Sequence, residues 1–181
     1  MKVIDDFLKP DDTLGIANHL NNVEFPWYFN PYINYPEDSG EESTKHEFQF
    51  VHNLYILNRG IPDSSNNNYD NRFAMNVLKT FKNSGMGITS FIRVKAKLTT
   101  QTKKHYHPQY HEDLDVFTEA GLPYKSAIYY VNTNNGYTKF ENGDKVGCVR
   151  NRLIIFDGKE RYTSVSCTDE KRKVVINLNF N

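Results

Sequence analysis

Ile92-Arg93-Val94-Lys95-Ala96-Lys97-Leu98 alternates apolar and basic residues without a break. Successive side chains of a strand point to opposite faces. The run therefore predicts a half-buried strand, with Ile92, Val94, Ala96 and Leu98 on one face and Arg93, Lys95 and Lys97 on the other. Short strands continue toward the C-terminus. Ser126 to Asn132, Leu153 to Phe156 and Val174 to Phe180 read as further strands. Thr133-Asn134-Asn135-Gly136 and Asn142-Gly143 carry hairpin chemistry between them. Upstream the grammar differs. Pro10-Asp11-Asp12 supplies cap chemistry for a helix carrying Leu14, Ile16, Ala17 and Leu20, closed by Asn21-Asn22. Asn71 to Lys82 reads as a second helix with Phe73, Val77, Leu78 and Phe81 on one side, and Glu47 to Leu57 as a strand. Residues 36–45 and 62–68 are polar and loop-like. Phe25-Pro26-Trp27-Tyr28-Phe29 is read as core packing in preference to a binding surface.

Helices first and short strands after predict a mainly β fold with N-terminal helices packed on one face of a jelly roll or barrel. The 181 residues make one domain, with 1–86 as helical and strand support and 87–181 as the jelly-roll core. Lys and Arg number 22 and Asp and Glu 22, which removes the overall positive field of a nucleic-acid binder. Aromatic residues at 14% exclude a disordered chain. No run approaches the ~20 apolar residues of a membrane helix, and the start resembles no signal peptide, so the expectation is a soluble, cytoplasmic protein. Cys148 and Cys167 have no metal-ligand spacing and read as small buried thiols.

All six histidines lie at or before position 111, and three fall in His105-Tyr106-His107-Pro108-Gln109-Tyr110-His111-Glu112-Asp113. Imidazoles and carboxylates both bind divalent metals at neutral pH. Two ligand sets are open. On a strand, His111 and Asp113 would point the same way and supply two-thirds of a 2-His-1-carboxylate iron triad. His105-x-His107 with Glu112 is like the first metal motif of cupins, without its flanking glycines and with no later His to complete it. A solvated, metal-free histidine cluster is the third alternative. Arg93, Lys95 and Lys97 either line a pocket for an anion, such as an acidic substrate, or form a solvated face.

Ile128-Tyr129-Tyr130-Val131-Asn132-Thr133-Asn134-Asn135-Gly136-Tyr137-Thr138 resembles the YYxN…GxT segment of prolyl-4-hydroxylase-like Fe(II)/2-oxoglutarate-dependent oxygenases. The run NRLIIFDG (151–158), the ending SCTD…VVINLNF, Phe25-Pro26-Trp27 and the opening VIDDFL resemble the small members found in tailed phages. The resemblance spans nearly the whole chain. It implies a double-stranded β-helix (jelly roll), the cofactors Fe(II) and 2-oxoglutarate with O2 as co-substrate, and a dioxygenase of hydroxylase type. A peptidyl proline is the substrate that this likeness points to. It also implies that His111 and Asp113 are metal ligands and that Tyr130 meets the far carboxylate of 2-oxoglutarate.

Two positions depart from the pattern. Where the resemblance requires the second His ligand stands Tyr162, and where it requires the 2-oxoglutarate-binding Arg stands Lys173. Alternation places Lys173, Val175, Asn177 and Asn179 on a polar, cavity-like face and Arg172 with the packing face. Lys keeps the charge and loses the two-pronged geometry of Arg. A neutral phenol is a poor iron ligand. Three readings remain open: iron on His111 and Asp113 alone, iron with Tyr162 as a third ligand, or a catalytically inactive jelly-roll binding or structural protein.

Overall fold

The alternating run lies inside β4 (Phe91–Thr100), the longest strand among the described residues. The computed structural model describes residues 1–33, 48–58 and 68–181. The loop expected over 36–45 lies outside these residues, as does that over 62–68 apart from Asn68. In chain order the elements are β1 (Lys2–Ile4), α1 (Pro10–Leu20), β2 (Tyr28–Asn30), β3 (Gln49–Ile56), α2 (Asn68–Lys82), β4, α3 (Asp115–Glu119), β5 (Lys125–Tyr130), β6 (Tyr137–Phe140), β7 (Lys145–Gly147), β8 (Leu153–Asp157), β9 (Tyr162–Val165) and β10 (Arg172–Phe180). A seven-stranded sheet runs β1-β8-β5-β10-β4-β3-β2, and a three-stranded sheet runs β7-β6-β9. All their pairings are antiparallel. The expected mainly β jelly roll with N-terminal helices is present.

The two faces of the large sheet carry different cores. Val94 and Ala96 of β4, Val174, Ile176, Leu178 and Phe180 of β10 and Tyr129 of β5 pack beneath Ile16 and Leu20 of α1 and Val77 and Phe81 of α2. Ile128 and Tyr130 of β5, Val175 of β10, and Ile154 and Phe156 of β8 fill the space between the sheets with Phe140, Val146 and Tyr162. Alternation along β5 thus sends Tyr129 to the helices and Tyr130 to the barrel interior, as the sequence predicts. Arg172 lies exposed at the strand's solvent end.

Four local expectations change. Lys9, the α1 N-cap, makes no side-chain cap bond; Pro10 starts the helix, and Asp11 and Asp12 act through the helix dipole. Leu14 is exposed, because Thr13, Ile16, Ala17 and Leu20 form the buried stripe. Thr133 to Gly136 is not a hairpin: β5 and β6 belong to different sheets, and the turn carries the chain across. Gly136 is needed there, since a Cβ would sit 2.8 Å from Asn134 Oδ1 and 2.9 Å from the Val165 carbonyl. The aromatic stretch divides, with Phe25 buried against Trp27 and Phe73 while Phe29 is 62% exposed on edge strand β2. Asn142-Gly143 does form a hairpin, between β6 and β7, with Gly143 at φ 98°. Both cysteines are buried free thiols. Among the described residues no helix is long and apolar enough to cross a membrane.

Asn151 clamps the N-terminal segment to the sheet. It sits in left-handed backbone (φ 64°), and its amide bonds both the Leu8 N–H and the Leu8 carbonyl at 2.9 Å. Tyr129 Oη donates to the same Asn151 Oδ1 at 3.2 Å. Asn tolerates this backbone better than other residues carrying a Cβ. Asn151→Ala removes the buried bonds and adds backbone strain, and should cost about 3 kcal/mol in urea unfolding. An unchanged unfolding midpoint would contradict the clamp.

Candidate functional site

The segment 105–114 crosses the mouth of the barrel and is stapled to β9. The His111 N–H donates to the Tyr162 carbonyl and the Tyr162 N–H to the His111 carbonyl, both at 3.0 Å. Thr163 Oγ1 donates to the Pro108 carbonyl at 2.6 Å, and the Tyr106 N–H donates to Ser166 Oγ at 2.8 Å. His111 pairs with β9 as an isolated bridge, so the strand assumed for His111-x-Asp113 is reduced to one position. After Asp113 the chain is fixed by Tyr124, whose hydroxyl accepts from the Leu114 N–H at 3.1 Å and donates to the Gly158 carbonyl at 2.7 Å. A Cβ at Gly158 would fall within 2.3 Å of the Tyr124 ring, so glycine is what lets that ring lie there.

His111 and Asp113 do converge, and they converge on Tyr162. The imidazole lies against the phenol ring with centroids 4.8 Å apart. Tyr162 Oη donates to Asp113 Oδ1 at 2.9 Å and accepts from Asn177 Nδ2 at 2.9 Å. Asp113 Oδ2 accepts from Asn179 Nδ2 at 3.0 Å. Arg93 Nη2 lies 3.3 Å from Asp113 Oδ1 and donates to the Asp113 carbonyl at 2.8 Å. The Tyr162 ring is anchored by Phe156 at 5.3 Å and Phe140 at 6.1 Å. A phenol suits this position because its ring completes the inter-sheet core while its hydroxyl reaches the carboxylate.

Charge follows from these neighbours. Burial pushes the Asp113 carboxyl up, but Lys97, Arg93 and the Asn179 bond outweigh it and hold the group well below the usual carboxylate range. Burial, the Asp113 charge and the donated hydrogen bond push Tyr162 well above its ordinary value, so it is a neutral phenol. Burial and Lys97 lower His111 to about 4, so it is neutral near pH 7. Lys97 falls to about 8 through burial, with Arg93 and Lys173 adding to the fall and Asp113 opposing it. Lys95 is lowered well below the usual range by burial and by Lys97 and Arg93.

The other candidate positions have protein partners. Lys173 is 2% exposed, and its Nζ donates to the Val165 carbonyl at 2.9 Å and the Tyr137 carbonyl at 3.1 Å. Tyr130 Oη donates to Thr138 Oγ1 at 2.7 Å. Between Lys97, His111, Ser164 and Lys173 lies a hollow of about 10 Å³, room for roughly one water. His105 and His107 turn away from this interior. Their rings meet Tyr137 edge-on at 5.6 and 5.9 Å, and His105 Nδ1 lies 2.8 Å from the Ser166 carbonyl. Among the described residues no group of three His, Cys, Asp or Glu side chains is placed to hold a metal, which leaves the cupin-like set of His105, His107 and Glu112 ungathered.

The donor set does not fit ferrous iron. Both Asp113 oxygens already accept hydrogen bonds, the third position is a phenol kept protonated, and Arg93 and Lys97 oppose a divalent cation. Asn177, Asn179 and Arg93 are partners of Asp113 that the sequence pattern does not assign. Alternation places all three on the correct faces, but nothing in the spacing pairs them with Asp113.

No model of a protein family and no curated protein matches the chain. Solved structures do. A Pseudomonas putida prolyl-4-hydroxylase superposes with a TM-score of 0.59 at 17% identity, covering 99% of this chain and 91% of that one. A Trichoplax adhaerens prolyl hydroxylase, in complex with a hypoxia-inducible-factor peptide fragment, gives 0.56 at 16% identity, covering 99% and 82%. The fold is that of the 2-oxoglutarate/Fe(II) oxygenases. A non-heme alpha-ketoglutarate-dependent epimerase of nogalamycin biosynthesis extends the likeness beyond hydroxylases, with a TM-score of 0.61 at 8% identity, covering 99% and 76%.

The depressed His111 value sets a pH dependence. An unfolded histidine takes a proton near pH 6.5, whereas the folded one waits until about 4. Between those values the unfolded state binds more protons, so stability falls as pH falls through that window. Wild-type protein should therefore lose stability relative to His111→Gln between pH 6.5 and 4, read by urea unfolding, with the His111 ring resonance titrating near 4. A ring titrating near 6.5 would contradict the burial argument.

Proposed function

We propose that this chain is a non-catalytic ligand-binding protein built on the oxygenase fold, in which the Tyr162 phenol takes the place of a third iron ligand. The observation that carries the reading is the short chain of hydrogen bonds from Asn177 through Tyr162 to Asp113. A carboxylate bound in this way is neutralised by protein donors, and freeing it for a metal would strand the Tyr162 hydroxyl as a donor without an acceptor. Lys173 supports the same reading. Its ammonium is spent on two backbone carbonyls beside a hollow far smaller than a five-carbon dicarboxylate.

A second reading keeps the activity of the fold's better-known members: an Fe(II)/2-oxoglutarate dioxygenase acting on a peptidyl proline. Favouring it is the convergence of His111 and Asp113 on one side of the barrel mouth. In that case the two side chains would hold the iron, Lys173 and Tyr130 would face the far carboxylate of 2-oxoglutarate, and the iron would supply oxygen activation when bound. Tyr162 would have to release Asp113 first.

Anaerobic titration separates the two. Wild-type protein given millimolar Fe(II) and 2-oxoglutarate should show no visible band of chelated iron and should form no succinate in air. The Tyr162→His, Lys173→Arg variant should gain the band, and a further Asp113→Ala change should remove it. A wild-type band that His111→Ala abolishes would overturn the non-catalytic reading.

A further inference from the structure

Three cations of β4 stand on the interior face of the large sheet. Arg93, Lys95 and Lys97 alternate with the buried Ile92, Val94 and Ala96, and their cross-strand neighbours on β10 are Asn179, Asn177 and Val175. The β3 neighbours of Lys95 and Lys97 are Asn53 and Val51, which bring no negative charge. Among the described residues Asp113 is the carboxylate that opposes them, and it is within ion-pair distance of Arg93. Among the described residues neither Lys95 nor Lys97 donates a hydrogen bond or closes an ion pair, although both side chains are partly withdrawn from solvent.

An ammonium that gives up water without gaining an acceptor carries an unoffset cost. Among the described residues the lining of the adjoining hollow adds no carboxylate. The hollow beside Lys97 is lined by Thr99, Ser164, His111 and the buried Lys173. Across the ladder from Lys95, Asn177 Oδ1 is buried without a partner; as an acceptor it is met by a water or by a protonated ligand oxygen and not by an anionic one. Its amide orientation is fixed, because Nδ2 faces Tyr162 Oη and the acceptor-only Asp113 carboxylate.

We propose that the β4 side of the barrel mouth is a binding site for a small anion, a carboxylate or a phosphate, whose oxygens are met by Lys95 and Lys97 without any metal. The inference rests on the non-catalytic reading, since it places an anion where an iron enzyme would need a cation. The roughly 10 Å³ hollow beside Lys97 admits one oxygen-sized group, so the body of the ligand stays outside it. Two charge-assisted hydrogen bonds from partly desolvated ammonium groups supply the affinity.

The test uses full-length protein freed of metal on a chelating resin, with inorganic phosphate and succinate as probes in separate calorimetric titrations. At least one probe should bind. Lys95→Met and Lys97→Met should each weaken that binding about tenfold, while Lys97→Arg and the loop control Lys104→Ala stay within about threefold of wild type. Both Met variants should melt at higher temperature than wild type without ligand, since each removes a desolvated amine without an acceptor, and should lose the ligand-dependent rise. Phosphate binding without succinate binding would assign a phosphate ligand, and the converse a carboxylate; either supports the site. No binding, or binding unaffected by both Met changes, would overturn the anion site and leave the non-catalytic reading standing. Succinate binding that appears only after Fe(II) is added would overturn both.

Discussion

The phenol of Tyr162 holds the site together. It stands between a buried carboxylate and a buried amide, donating to Asp113 and accepting from Asn177. The rest of the barrel mouth is arranged around that contact. Its ring closes the core between the two sheets against Phe140 and Phe156. Its backbone pairs with His111 and so fixes where the segment 105–114 crosses. Its hydroxyl occupies one lone pair of Asp113 Oδ1. One side chain thus couples the packing of the small sheet to the chemical state of the site. In a low-dielectric interior such a bond is strong when made and costly to break, so the arrangement is a stable ground state.

Charge is set by the same contact. Asp113 stays ionised because Lys97 and Arg93 face it, yet one carboxylate cannot balance those two cations together. The mouth therefore carries surplus positive charge beside a neutral imidazole and a neutral phenol. Within an oxygenase fold this is an inversion, since a ferrous site needs surplus negative charge before the metal arrives.

Much of the fold was legible in the sequence because burial imposes a period. The alternation of Ile92 to Leu98 and of Val174 to Phe180 is what a strand with two unlike faces requires, and both strands sit centrally in the large sheet. The positions of Tyr129 and Tyr130 on opposite faces came from the same rule. What alternation could not give was the partner of each strand. Thr133 to Gly136 has the chemistry of a hairpin turn, but the choice between turning back and crossing to the other sheet lies in long-range packing. The short strands β1, β2, β7 and β9 carry too few residues to show a period.

The site was legible in its membership and not in its state. Spacing brought His111 and Asp113 to attention, the family resemblance added Tyr162 and Lys173, and His111, Asp113 and Tyr162 do meet. That Tyr162 donates to Asp113, and that Lys173 spends its protons on the Val165 and Tyr137 carbonyls, are matters of side-chain direction that no spacing encodes. The most direct measurement is a crystal soaked anaerobically in Mn(II), a redox-stable stand-in for Fe(II), with anomalous scattering recorded. The account predicts Tyr162 Oη in contact with the Asp113 carboxylate and no anomalous peak between His111 and Asp113. A peak there, with the phenol swung away from Asp113, would contradict it.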